Sequence, residues 1–405
     1  MYDAIVVGAR CAGSPTAMLL AQQGYRVLLL ERGSFPSDIF RNHALLYPAV
    51  AHLQSWGLLD AVIATGCPPI TQFSQFMGDF NLTGKLHLPD GLAGIYAPRR
   101  KYLDQILVDA AVKAGAELRE EFAVQDLLWE GDRVVGVRGR SHGGASVEER
   151  ATIVIGADGL HSVVARCAGA AALESRPTLT WIYYSYWSDM TTAGVEFYRF
   201  DDEAMLAFPT NDGLHCVATF GPVDGFSDYR TDIEANFART LARVPDLAAR
   251  VAGGRRAERW IGTADLPNVL RKPYGPGWAL VGDAGFHKDP VTAHGISDAF
   301  VGAQLLADAV DAGLAGRRPL AEALAAYEAQ RNAEAMPVLD GACMAATFGP
   351  LPAEMLGLRQ ALRQSQDDTD QFIGMAVGTV SPLEFFAPAN MGRIMSRLAP
   401  VGATA

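Results

Sequence analysis

The chain has 405 residues, 49% hydrophobic and 20% charged, with a formal net charge of −11 at pH 7. That is enough for two or three domains or one composite globular unit, and an acidic balance without a lysine/arginine run argues against nucleic acid or an anionic membrane as a primary partner. No apolar stretch reaches the roughly 18 residues of a membrane span, the five cysteines form no CxxC, and the first strand begins too near Met1 for a signal peptide, so a cytoplasmic chain is expected.

The first thirty residues organise the rest. Ala4–Val7 is an apolar run that stops at a glycine, and predicts a buried strand over Met1–Val7. Gly8-Ala9-Arg10-Cys11-Ala12-Gly13 follows, then a helix over Ser14–Gln23 and a second apolar strand, Arg26–Leu30, ending in Glu31. A dinucleotide site needs this order. Gly8 permits the tight turn, Gly13 lets the helix pack close to the strand, and the amides at the helix start face a pyrophosphate. Glu31 stands where it can accept hydrogen bonds from ribose hydroxyls. Arg10 occupies the usual middle glycine position; its Cβ crowds the phosphates, while its guanidinium can pair with them.

Further on, helices are expected at Pro48–Trp56 and Arg99–Ala114, and strands and turns over Ile70–Leu88. A strand follows at Glu117–Phe122. The segments Asp126–Trp129 and Val134–Arg138 flank Glu130-Gly131-Asp132 and read as a hairpin. Ala151–Ile155 is a buried strand ending in Gly156-Ala157-Asp158-Gly159-Leu160-His161-Ser162. The aromatic stretch Thr180–Asp189 and the runs Val195–Phe200, Met205–Phe208 and His215–Phe220 predict antiparallel strands of a second layer. Thr231–Ala252 reads as helical. A strand ending in Gly282-Asp283 leads through the loop Phe286–His294 to helices over Ile296–Val310 and Leu320–Ala335. Residues 337–405 give no clear pattern.

Taken together, Gly8–Gly13, Gly156–Ser162, Gly282–Gly295 and the Arg-x-x-Leu at Arg100–Leu103 resemble the flavoprotein monooxygenases of the para-hydroxybenzoate hydroxylase fold, over roughly residues 1–335. That superfamily also holds flavin-dependent halogenases and geranylgeranyl reductases. The resemblance implies an α/β fold: a discontinuous Rossmann-like FAD domain (1–69, 98–175 and 263–335), an inserted antiparallel substrate layer (70–97 and 176–262) and a mostly helical C-terminal region (336–405). It implies non-covalent FAD, NAD(P)H as a transient reductant, O2, and a small aromatic or polyketide-like substrate that is hydroxylated. The alternatives are a dehydrogenase or double-bond reductase of the same fold or, in a different class, a non-catalytic partner-binding protein of the GDP-dissociation-inhibitor type.

The resemblance also implies site residues. Gly8, Arg10, Ala12, Gly13, Glu31, Arg32 and Val124 would serve the adenosine and pyrophosphate, with Arg41 and Arg100 on the phosphates or ribityl chain. Asp158 would serve the cofactor and its own turn, and Asp283 would accept from a ribityl hydroxyl. Pro290, Gly295 and Ile296 would lie along the flavin ring, where a helix start favours negative charge. His287 and His43 are candidates for proton transfer at neutral pH; no metal site is expected. Gly285-Phe286-His287, Ala293 and Ser297 depart from the family loop. The Trp-x-Trp-x-Ile-Pro signature of halogenases is absent, no lysine suited to halogen activation stands out, and no second GxGxxG provides a nicotinamide domain.

Overall fold

The computed structural model describes residues 1–38, 43–78, 80–141 and 143–398. Its organising element is a mixed sheet of eight strands. Tyr2–Val7 lies at its centre, parallel to Val27–Leu30 on one side and to Ser146–Gly156 on the other. Trp278–Leu280 and Glu117–Arg119 extend the parallel part. Both faces are covered, so the first strand is buried along nearly its whole length and reads as an unbroken apolar run rather than an alternating one. Ala4 and Val6 point to a helical layer made by Gly13–Gln22, Arg100–Lys113 and Gly295–Leu314. Ile5 and Val7 point to the meander Phe122–Glu130, Arg133–Ser141 and the short helix Val163–Cys167. Phe300, fully buried, packs its ring 5.1 Å from that of Trp56; truncating such a side chain to alanine costs about 3–5 kcal/mol.

A second sheet lies above the first. Thr180–Ser188, His215–Pro222, Ala204–Pro209 and Val195–Arg199 run antiparallel in that spatial order. Gln72–Met77 joins them parallel to Val195–Arg199 and pairs with Phe80–Lys85, so the layer is not purely antiparallel. Its aromatic strand alternates. Trp181, Tyr183 and Trp187 pack beneath the helices Phe226–Thr231 and Ile233–Leu241. Ile182, Tyr184 and Tyr186 face the opposite side, where they share a core with the C-terminal helices Ala353–Leu362, Gln366–Val377, Pro382–Phe385 and Pro388–Met395. A three-stranded sheet, Ala172–Arg176, Asn268–Arg271 and Phe286–His287, completes the strands.

Several stretches differ from the sequence expectation. Glu117–Phe122 is not one strand: Glu121, at φ of +52°, separates Glu117–Arg119 from Phe122–Glu130, and the loop Phe286–His294 begins with the short strand Phe286–His287. Residues 231–252 are not one helix: Asp232 turns extended and its side chain accepts from the Ala235 amide, starting Ile233–Leu241, and Pro245 opens a further helix, Pro245–Gly253. The helix from Leu320 does not stop before Pro337 but continues to Ala345. Among the described residues no helix is long and apolar enough to cross a membrane.

Candidate cofactor site

The turn after the first strand is built as its glycines require. Gly8 has φ of +100°, a conformation that L side chains resist. A Cβ on Gly13 would stand 1.7 Å from the Gly8 carbonyl oxygen. Strand and helix therefore meet at a distance only glycine allows. The helix from Gly13 carries no acidic side chain in its first turn, so its amides and dipole present an anion site without a competing carboxylate.

Charge is arranged around this turn by a residue the sequence reading did not single out. Asp104, fully buried, accepts from Arg100 Nε at 3.0 Å and Nη2 at 2.8 Å through one oxygen, and from Arg10 Nη1 at 2.7 Å through the other. Arg10 also donates to Ser37 Oγ at 2.9 Å and lies 3.9 Å from Glu31. Its guanidinium is thus held sideways, toward the helix Arg100–Lys113, and not folded over the turn. Two guanidinium groups share Asp104, with Glu31 as a second carboxylate near Arg10, so both cations stand beside the turn with their charge balanced. The available signal was the i, i+4 spacing of Arg100 and Asp104 on one helix face.

Glu31 is buried at the end of the second strand. One carboxylate oxygen accepts from the Ala9 amide and the other from the Gly33 amide, each at 3.0 Å. The group is fixed in orientation and keeps lone pairs for further donors. Asp158 caps the helix Val163–Cys167: it accepts from the Ser162 hydroxyl and from the Val163 amide at 2.6 Å. Burial raises its pKa, against those hydrogen bonds.

These residues surround a cavity of about 680 Å³, within the range of small-molecule sites. Gly8, Arg10, Ala12, Glu31, Arg32 and Val124 line one end of it. Arg100, Asp158 and Asp283 follow, and His287, Pro290, Gly295 and Ile296 line the loop side. Ile182 and Tyr184 of the second sheet close it, together with Ile261, on a short strand Ile261–Thr263 paired with Thr180–Ser188, and Leu266 in the loop that follows. Gly13 lies behind the wall, buried under Gly8. Arg41 lies outside the described residues.

The two histidines are placed differently. His287 is buried in the cavity wall, and its Nδ1 faces the Pro267 carbonyl. A carbonyl only accepts, so Nδ1 carries a hydrogen, and in the neutral ring the lone pair then lies on Nε2. His43 is not in this wall. It is enclosed beneath the second sheet, donating from Nδ1 to the Ala97 carbonyl at 2.9 Å and accepting at Nε2 from the Tyr186 hydroxyl at 2.8 Å. Burial pushes its pKa down to about 3, so it stays neutral.

The loop Phe286–His294 is pinned from both sides. Asp289, fully buried, accepts from the Thr180 hydroxyl at 2.7 Å and the Val291 amide at 3.1 Å, while its own amide donates to Asn268. Lys288, buried, is ion-paired with Asp298 in the first turn of the helix Gly295–Leu314. Ala293 sits in the left-handed region with φ of +58°, a conformation that favours glycine. None of these tertiary ties could be read from the loop's own sequence. Among the described residues no cluster of His, Cys, Asp or Glu is placed to hold a metal ion.

A dinucleotide bearing flavin fits this cavity: a small-residue turn and basic side chains at one end, a helix start and an apolar wall at the other. Comparison with known proteins agrees. The chain is 28% identical over 352 residues to the digeranylgeranylglycerophospholipid reductase of Methanocella arvoryzae, covering 81% of this chain and 82% of the relative. It is 30% identical over 325 residues to the enzyme of that name from Methanosarcina mazei, covering 76% and 74%. Among solved structures, a myxobacterial chondrochloren halogenase superposes with TM-score 0.79 at 23% identity, covering 98% of both chains. A flavoprotein/dehydrogenase from Cytophaga hutchinsonii superposes with TM-score 0.80 at 20% identity, covering 96% of both. Residues 1–342 match the family described as FAD binding domain, and the chain therefore belongs to that family of FAD-dependent oxidoreductases.

Proposed function

We propose that this protein is an FAD-dependent monooxygenase that uses NAD(P)H and O2 to hydroxylate an aromatic or polyketide-like small molecule. The observation that carries the reading is the single cavity running from the glycine turn to the apolar wall of Ile182, Tyr184, Ile261 and Leu266. Adenosine would lie by Glu31, Arg32 and Val124, and the pyrophosphate at Gly8–Gly13 with Arg10 and Arg100 near it. Asp283 would meet the ribityl chain, and Pro290, Gly295 and Ile296 the ring edge. Bound without a covalent link, FAD would supply the redox chemistry.

The chain's own groups do the rest. The apolar wall excludes water and orients a flat substrate. His287 Nε2, free of the carbonyl that holds Nδ1, would take a proton from a substrate hydroxyl. His43, tied to Ala97 and Tyr186, would position the second sheet and not move a proton. Residues 1–69, 98–175 and 263–335 would form the flavin part, 70–97 and 176–262 the substrate layer, and 336–405 a helical cover.

A second reading, reduction of a carbon–carbon double bond, is favoured by the reductase names of the sequence relatives at 28% and 30% identity. The test is NAD(P)H consumption by the purified yellow protein against a panel of phenolic and polyketide-like compounds. Acceleration by a compound that leaves hydroxylated supports the monooxygenase. Consumption that proceeds equally well without oxygen and saturates an alkene supports the reductase.

A further inference from the structure

Lys288 stands in a loop whose neighbours are turn formers, yet only 4% of its side chain is exposed. Its Nζ is paired with Asp298 and lies 5.0 Å from the centre of the Phe286 ring. Asp283 is near enough to favour its charge, while burial disfavours it and leaves its pKa down at about 8. Lys288, Asp283, Asp289 and Asp298 all line the cavity already described. The other lysine or arginine side chains that line it, among the described residues, are Arg10, Arg32 and Arg100. Arg10 and Arg100 are committed to Asp104, and Arg32 is exposed beside Glu31.

The loop side of the cavity thus holds Asp289, Asp298 and the Lys288 ammonium, with Asp283 next to it, close enough to favour the charge of both Lys288 and Arg100. A ring seated there gains charge when reduced: two electrons and one proton leave one net negative charge on it. Asp283 and Asp298 would oppose that charge, Asp289 less so because burial raises its pKa, and the helix start at Gly295 offsets only part of them. We infer that Lys288 is the cation that makes this end of the cavity tolerate reduced flavin, setting the reduction potential of the bound cofactor. The inference rests on the reading of the cavity as the FAD site and concerns a positioning residue that acts through charge.

The experiment uses the FAD-loaded full chain. Its two-electron potential is measured without oxygen against a reference dye, with xanthine and xanthine oxidase supplying electrons. Lys288→Met should move the potential negative by about 30 mV or more, a tenfold loss in preference for the reduced form. Lys288→Arg, which keeps the charge, should stay within about a third of that shift. Lys288→Met combined with Asp298→Asn removes the carboxylate left alone and should recover part of it. Should Lys288→Met lose its flavin, Lys288→Gln gives the same comparison. A potential equal to wild type in whichever neutral variant retains flavin overturns the inference. A wild-type chain that takes up no FAD defeats the reading of the site instead.

Discussion

Asp104 offers the sharpest structural test of the phosphate end. It is fully buried and takes hydrogen bonds from both Arg10 and Arg100. Asp104→Asn preserves volume and removes the charge. Arg100 is itself buried in the cavity wall, so its guanidinium would lose the carboxylate that holds it and keep only Asp283 nearby to favour its charge. Removing one partner of a buried pair costs about 3–5 kcal/mol. At roughly 2 °C per kcal/mol, the figure for large domains, the melting temperature should fall by about 6–10 °C. A second effect separates the site from the scaffold. FAD raises the melting temperature of a chain it binds, by an amount that grows with ligand concentration over Kd. In Asp104→Asn that rise should shrink, because Arg10 and Arg100 are no longer held beside the turn. Thermal unfolding with and without added FAD reads both quantities. A variant that melts within about 1 °C of wild type, a change worth under 1 kcal/mol, with the same FAD-dependent rise, would refute the argument.

Other expectations follow from the same geometry. Glu31→Ala leaves the Ala9 and Gly33 amides without their acceptor, and both it and Asp283→Ala should retain less FAD through gel filtration, Asp283→Ala the less; full flavin content in both variants would remove these residues from the site. Ala293→Gly relieves about 1–2 kcal/mol of left-handed strain against about 0.4–1 kcal/mol of added unfolded-state freedom, so a net gain of up to about 1.6 kcal/mol is expected in urea, and a clear loss would contradict the strain. His43 and His294 are held neutral by burial, down to about 3 and about 4. The unfolded chain takes up protons below about pH 6.5 and the folded chain does not, so this stability is present above that pH and is lost as pH falls, at about 1.4 kcal/mol per pH unit for each histidine. His43→Asn should flatten that acid limb in urea midpoints; an unchanged slope would mean His43 is not held neutral.

The dinucleotide turn was legible because its signals are local. An apolar run bounded by glycine, a helical period and an acid at the next strand end constrain one another within thirty residues. The helix Arg100–Lys113 differs from its expected span by one residue at each end, for the same reason. Where the deciding interaction is distant, sequence was silent. Asp104 looks like any polar helical residue until Arg10 arrives from the first turn. Lys288 carries no local signal of burial, and only the fold brings Phe286, Asp283 and Asp298 around it. His43 was chosen by residue type alone; its neighbours Ala97 and Tyr186 come from 54 and 143 residues away. The C-terminal helices gave no pattern because several bury only part of a narrow face, although Pro382 and Pro388 stand at helix starts, where proline is tolerated. Pro337 misled in the opposite direction, as a stop signal inside a helix that neighbouring contacts carry through.

The central claim is oxygen insertion, and labelled oxygen tests it directly. Once a compound that accelerates NAD(P)H consumption is in hand, the reaction is run under ¹⁸O2 and the product is weighed by mass spectrometry. The account predicts that the product gains one labelled oxygen atom per NAD(P)H consumed, the second atom leaving as water. A product that gains two hydrogens and no label, formed equally well without oxygen, would contradict it and make the protein a reductase.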